Sequence, residues 1–209
     1  MISLSAIVPT VATDLARLTL LRRSMESALH QMRAGDELLI AADVTSNQLD
    51  DVRSLCLQMG TEAPEGVAVR FMPHAGVQHD WGHSQLTHAM SVAKGDYLTF
   101  SDDDDVWLAG AFDAMRADAE AQPSPRPLLY RFLAHFGIVY WLEPGFVRQG
   151  AIGGHCLVTP NLPSFLGTWG PHYEGDFTMI RETLDLWAAV GVEPVWIDRL
   201  IVQARPSGR

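Results

Sequence analysis

The run Leu38-Leu39-Ile40-Ala41-Ala42 constrains this chain more than any other stretch. It offers no polar face, so a strand here must be covered on both sides, as in a parallel sheet held between helices. The surrounding sequence fits that demand. Ser5 to Val8 is a short apolar run ended by Pro9, and Thr13 and Asp14 look like a helix cap. Leu15, Leu18, Leu21, Met25, Leu29 and Met32 then follow at helical spacing, with Gly35 as the stop. A second helix is expected from about Asn47 to Met59, stopped by Gly60, and a strand over Val67 to Met72. A third helix is expected over Ser84 to Ala93, ended by Gly95, then a short strand Tyr97-Leu98-Thr99-Phe100. This alternation predicts an α/β fold with a mostly parallel central sheet flanked by helices.

The second half changes character. A helix is expected over Ala109 to Ala121, and a boundary over the proline-rich Gln122 to Pro127. Strands are expected near 128–134, 137–142 and 155–159, then a loop rich in Gly and Pro, then one helix from about Phe177 to Val190. We read this as a smaller mixed part. The length of 209 residues suits a single domain, 1–209.

The formal net charge is −10, and an acidic surface repels phosphate backbones, which disfavours broad nucleic-acid binding. Cys56 and Cys156 are far apart and form no CxxC pattern, so neither a disulfide framework nor a zinc site is expected. No signal peptide is visible at Met1-Ile2-Ser3-Leu4. The most apolar stretch, 128–142, is interrupted by Arg131, His135 and Gly137, and is shorter than the ~20 apolar residues a membrane helix needs. The expected setting is therefore soluble and cytoplasmic, with no membrane span.

In open α/β sheets, ligands bind in the crevice at the carboxyl ends of the strands. Three polar sites fall at such ends: Pro9-Thr10, Asp43, and Asp102-Asp103-Asp104-Asp105. Consecutive carboxylates at the end of a buried strand repel one another and call for a counter-charge. Mg²⁺ and similar hard cations take oxygen ligands and bridge carboxylates to substrate phosphates. The cluster thus points to a metal-diphosphate site. The plainer alternative is a solvated acidic loop leading into the helix after Trp107.

The segment Ala93-Lys94-Gly95-Asp96-Tyr97-Leu98-Thr99-Phe100-Ser101-Asp102-Asp103-Asp104-Asp105-Val106-Trp107 resembles the A-x-G-x-Y-(apolar)-x-F-x-D-x-D-D-x-W stretch of family 2 glycosyltransferases, which have the GT-A fold. Ile7-Val8-Pro9-Thr10 resembles their first strand. The resemblance implies a Rossmann-like GT-A domain. Residues 1–107 would form the nucleotide-sugar-binding half and 108–209 the acceptor-binding half. It implies donor contacts from Pro9, Thr10, Val11 and Asp43. Asp102 or Asp103 would face the nucleoside, and Asp104, with Asp102, would ligate Mn²⁺ or Mg²⁺. The four-acid run leaves that register open by one residue, and Val106-Trp107 favours Asp104 and Asp105 as the paired acids. The implied reaction is inverting transfer of a sugar, commonly from a UDP-sugar, to an acceptor hydroxyl. Glycans, lipids, small molecules and modified nucleic-acid bases all stay open as acceptors.

An inverting transferase needs one general base. The family takes it from an E-D pair at a helix start. The matching stretch here is Tyr173-Glu174-Gly175-Asp176-Phe177, in which Gly175 separates the acids. Asp176 is read as the base and Glu174 as the reserve, with a simple N-cap as the alternative for Asp176. His74, His79, His83 and His88 match no zinc motif. Asp80 or His83, at a predicted helix start, could contact the nucleotide-sugar. His155 and His172 are candidate further metal ligands. Trp169 and Tyr173 could stack on a sugar or pack in the core. Two rivals remain. One is a non-catalytic domain that binds nucleotide-sugar. The other is a haloacid-dehalogenase-type phosphatase, although the acid motif comes on the fourth strand and the only lysine, Lys94, lies upstream.

Overall fold

The computed structural model describes residues 1–75, 82–141, 143–170 and 172–206. The first half alternates β1 (Leu4–Thr10), α1 (Leu15–Leu29), β2 (Glu37–Asp43), α2 (Leu49–Glu62), β3 (Ala68–His74), α3 (His83–Val92) and β4 (Tyr97–Phe100). β3, β2, β1 and β4 lie side by side in that order, all parallel. Every residue of β2 is buried, as its apolar run demands. Asp14 caps α1, its side chain accepting from the Arg17 amide. α2 does not stop at Gly60. A glycine costs a helix only ~1 kcal/mol, and the chain leaves the helix at Ala63, held extended before Pro64.

The second half comprises β5 (Val106–Trp107), α4 (Ala111–Glu120), β6 (Leu128–Leu133), β7 (Val139–Tyr140), β8 (Leu157–Pro160), α5 (Gly175–Ala188) and β9 (Val195–Gln203). Short 3₁₀ turns cover Gly154–Cys156 and Pro163–Phe165. The sheet continues from β4 through antiparallel β8 to β6, β9 and β5, with β7 on the side of β6. Apolar residues of both halves belong to one core cluster.

β9 is a departure from the sequence reading, which ended regular structure at the last helix. Asp198-Arg199 breaks its apolar pattern, and its parallel pairing with β6 shifts register around Arg131, where Arg131 meets Asp198 at 3.1 Å. β9 matters for the site. It runs antiparallel to β5 and brings Ala204-Arg205 back beside the acid cluster. Among the described residues, no helix is long and apolar enough to cross a membrane.

Candidate active site

After β4 the chain turns sharply through the four aspartates, and α1 pins that turn. Arg23 donates to the Asp104 carbonyl at 3.0 Å and Ser24 to the Asp102 carbonyl at 3.2 Å. The four side chains then part company. Asp103 is buried, accepting from the Thr10 hydroxyl at 2.6 Å and from Arg17 at 2.6 Å. Asp104 accepts from Arg17 at 2.9 Å and lies 3.4 Å from the Arg205 Nε. Asp105 accepts from the Arg205 amide through Oδ1 at 2.8 Å, and its Oδ2 meets His155 Nε2 at 2.5 Å. Asp102 stays half exposed, with Oδ2 3.8 Å from the same imidazole nitrogen.

The repulsion expected of four carboxylates is therefore settled in two ways. Arginines neutralise Asp103 and Asp104, while Asp102 and Asp105 share His155. Among the described residues, Asp102, Asp105 and His155 form the group able to hold a metal ion, their ligand atoms lying within 4.8 Å of one another. Two carboxylates and an imidazole suit Mn²⁺ well and Mg²⁺ less so. The arrangement differs from the one the resemblance implies in two respects. Asp104 turns to arginine, and Asp105 stands where Asp104 was expected. His172 lies exposed against Thr178, outside the group.

Titration follows the geometry. Burial disfavours the charge on His155, but Asp105, Asp102 and Asp176 outweigh it and hold the imidazole up at about 9. Burial likewise opposes the charge on Asp105, yet His155 keeps its carboxyl below the ordinary value. Burial drives Asp103 up to about 7 against Arg17 and Thr10. Desolvation in the cleft, with Asp105 and Asp104 nearby, raises Asp102 to about 6.

A cavity of about 510 Å³ opens in front of this group. Pro9, His83, Asp102, His155, Asp176 and Arg205 are among the residues around it. Asp176 sits in the first turn of α5, but Glu174 occupies the N-cap position, with no side-chain cap bond. Asp176 accepts from the amide of Phe177 at 2.6 Å, and burial raises its pKa. Glu174 borders the same cavity further out and accepts from Gln149 at 2.6 Å.

The glycine between these acids has a physical cause. A Cβ on Gly175 would lie 2.4 Å from the His83 ring and 2.4 Å from the Gly170 carbonyl, which itself contacts His83 Nδ1 at 2.5 Å. Gly175→Ala is therefore expected to displace His83 and the start of α5, destabilising the fold by about 1–3 kcal/mol. Thermal unfolding measures this; an unchanged midpoint would show that the ring moves aside freely.

The remaining candidates are dispersed. Pro9 reaches the cavity, whereas Thr10 is buried behind it as the partner of Asp103. Val11 is exposed beyond the end of β1. Asp43 is buried, with one oxygen accepting from Thr45 and the other from Gln85 at 2.9 Å. His83 is buried at the cavity wall and packs on Trp169 at 5.3 Å. Trp169 is a buried packing residue whose indole N–H donates to Met90 Sδ, while Tyr173 is exposed at the rim. Asp80 and His79 lie outside the described residues. Sequence reasoning passed over Arg17 and Arg205. Arg17 follows the Asp14 cap by three residues and could have been sought as the counter-charge; Arg205 carries no such signal. Lys94 lines a separate hollow with Asp96 and Asn161, away from the acid cluster.

No protein-family profile and no curated protein matches the chain by sequence. Its fold does match solved structures. TarS of S. aureus superposes with a TM-score of 0.68 at 12% identity, covering 97% of this chain and 36% of TarS. A shorter form of TarS (residues 1–349), solved with UDP-GlcNAc, superposes at 0.64 and 11% identity, over 97% of this chain and 58% of that one. The mannosyltransferase PcManGT of Pyrobaculum calidifontis, solved with GDP-Man and Mn²⁺, gives 0.62 at 15% identity, over 95% of this chain and 55% of that one. The chain thus spans well under two thirds of these neighbours' length. The fold is that of the GT-A glycosyltransferases.

Proposed function

We propose that this chain is a glycosyltransferase that moves a sugar from a nucleoside-diphosphate sugar to an acceptor hydroxyl with inversion. The carrying observation is that one cavity is bordered by the half-buried Asp176 carboxylate and by Asp102 and His155 of the metal-ligand group. Asp176 takes the acceptor proton as the new bond to the sugar C1 forms. The bond from C1 to the diphosphate oxygen breaks with it, through an oxocarbenium-like state. The leaving group departs as a nucleoside diphosphate anion. Mn²⁺ or Mg²⁺ held by Asp102, Asp105 and His155 would supply charge neutralisation of that diphosphate. Arg205, which also lines the cavity, would add a second positive charge on that side.

A uridine donor is supported by the TarS neighbour solved with UDP-GlcNAc, and the metal by the neighbour solved with Mn²⁺. Residues 1–107 would form the donor half, with Pro9, Val11, Asp43 and His83 bordering the nucleotide-sugar, and residues 108–209 the acceptor half. Two free, buried cysteines, Cys56 and Cys156, suit a reducing cytoplasm.

The test is ligand-dependent stabilisation. UDP at about a hundred times its Kd, with Mn²⁺, should stabilise the fold by about 2.7 kcal/mol, a rise in midpoint of roughly 5–10 °C for a chain of this size. Chelation should remove most of that rise. Asp102→Asn should abolish the Mn²⁺-dependent part while leaving the apo midpoint nearly unchanged; His155→Ala should abolish it too but lower the apo midpoint, because it strands the buried Asp105 carboxylate. A flat response to UDP and GDP with either metal would sink the donor reading.

A further inference from the structure

The outer part of the cavity differs from its floor. Part of its wall comes from the β6–β7 hairpin and from the start of α5. Phe136, in the hairpin turn, is 75% exposed, and Tyr173, just before α5, is 72% exposed. Both line the cavity. Large aromatic side chains exposed around a concave site forgo burial they would otherwise gain, and such surfaces mark binding. Phe132 and Tyr140 stack at 5.1 Å, and Phe132 also packs on His155 at 4.9 Å, so the aromatic wall runs on to the metal-ligand group.

The charges on this side are equally informative. Glu174 and Asp176 face it, with the Gln149 amide bonded to Glu174. Among the described lining residues, Arg205 is the only arginine or lysine, and it stands at the acid cluster beside Asp104. A phosphorylated or carboxylated acceptor would find no arginine or lysine on this side among the described residues, the nearby imidazole being that of His135, packed on Phe136. It would instead meet two carboxylates. An uncharged ring compound with hydroxyls fits both features: its C–H face packs on aromatic rings, and its hydroxyls donate to carboxylates and bond to an amide.

We propose that this outer part is an acceptor subsite for an uncharged saccharide, its ring packed on Phe136 and Tyr173 and its hydroxyls held by Glu174 and Gln149. The proposal rests on the transferase reading above, since it places the acceptor next to Asp176. It also commits against phosphorylated acceptors.

Saturation-transfer NMR tests it, with the protein in UDP and Mn²⁺ and with millimolar maltose, cellobiose, lactose or chitobiose as probes. Maltose 1-phosphate and N-acetylglucosamine 6-phosphate, each beside its neutral parent, serve as charged controls. At least one neutral disaccharide should bind, and each neutral parent should bind no more weakly than its phosphorylated counterpart. Phe136→Ala and Tyr173→Ala remove exposed rings, so the fold should persist. Each should weaken disaccharide binding by about tenfold and leave the UDP-dependent midpoint unchanged. The proposal is overturned if a phosphorylated probe binds more tightly than its parent, or if both truncations leave binding intact. It also falls if no neutral disaccharide binds although UDP does. Disaccharide binding that depends on Phe136 and Tyr173, without any response to UDP, would uphold the subsite and reject the donor reading.

Discussion

Asp176→Asn should lower transfer by about 10²–10⁴-fold, the usual contribution of a general base, and leave donor binding nearly intact. The amide keeps the size of the carboxylate, and its oxygen can still accept from the Phe177 amide, the contact seen at 2.6 Å. Only the capacity to take a proton is lost. Glu174→Gln serves as the comparison. Glu174 sits further out, bonded to Gln149, and its amide variant should change the rate by no more than a few-fold. The readouts are kcat/KM for transfer and the Kd for UDP. Equal loss of both in Asp176→Asn would make Asp176 a structural residue of α5.

The same residue carries a pH signature. Burial is the largest influence on Asp176 and raises its pKa, against the Phe177 amide, His155 and His83. A base must be deprotonated, so kcat/KM should rise with pH through a midpoint above that of an ordinary carboxylate. In Asp176→Asn the part of that rise due to Asp176 should be lost, leaving the part contributed by Asp102 at about 6. A wild-type profile already level through the ordinary carboxylate range would exclude Asp176 as the base.

The parts of this fold that were legible in sequence depend on neighbours along the chain. The apolar run 38–42 dictates a strand covered on both faces, and Asp14 caps α1 because its amide partner is only three residues away. The aspartates were legible as a site because they follow an apolar strand directly. What escaped depends on partners far away in sequence. The choice between Asp104 and Asp105 as the acid beside His155 is made by Arg17 and Arg205, which take Asp104 from opposite ends of the chain. No spacing rule contains that information. β9 escaped because a charged pair interrupts it and a register shift accommodates the interruption. Gly175, which looked like a defect in an acid pair, is explained by the His83 ring, which arrives from α3.

A buried ion pair joins the two halves, and breaking it should be the costliest single change outside the site. Arg116, on α4, pairs with Asp36 at the entry to β2, with side chains 2% and 1% exposed. Asp36 also accepts from the amides of Leu4 and Arg33, each at 2.9 Å, so it ties together β1, the turn before β2, and α4. Asp36→Ala would strand a buried guanidinium whose other carboxylate partner, Asp113, is 81% exposed. It would also remove the acceptor for two amides. Removing one member of a buried pair costs about 3–5 kcal/mol, so the midpoint should fall by roughly 6–20 °C at the 2–4 °C per kcal/mol typical of this chain length. Arg116→Met should cost less than Asp36→Ala, because the carboxylate it leaves behind keeps its two amides. The double variant should be less destabilised than the sum of the singles, since the second change removes the charge that the first left unpaired. Denaturant unfolding of the four proteins measures the coupling. Simple additivity would mean that the two charges do not depend on each other. Single variants within about 1 kcal/mol of the parent, inside the range of exposed pairs, would mean that water reaches this pair.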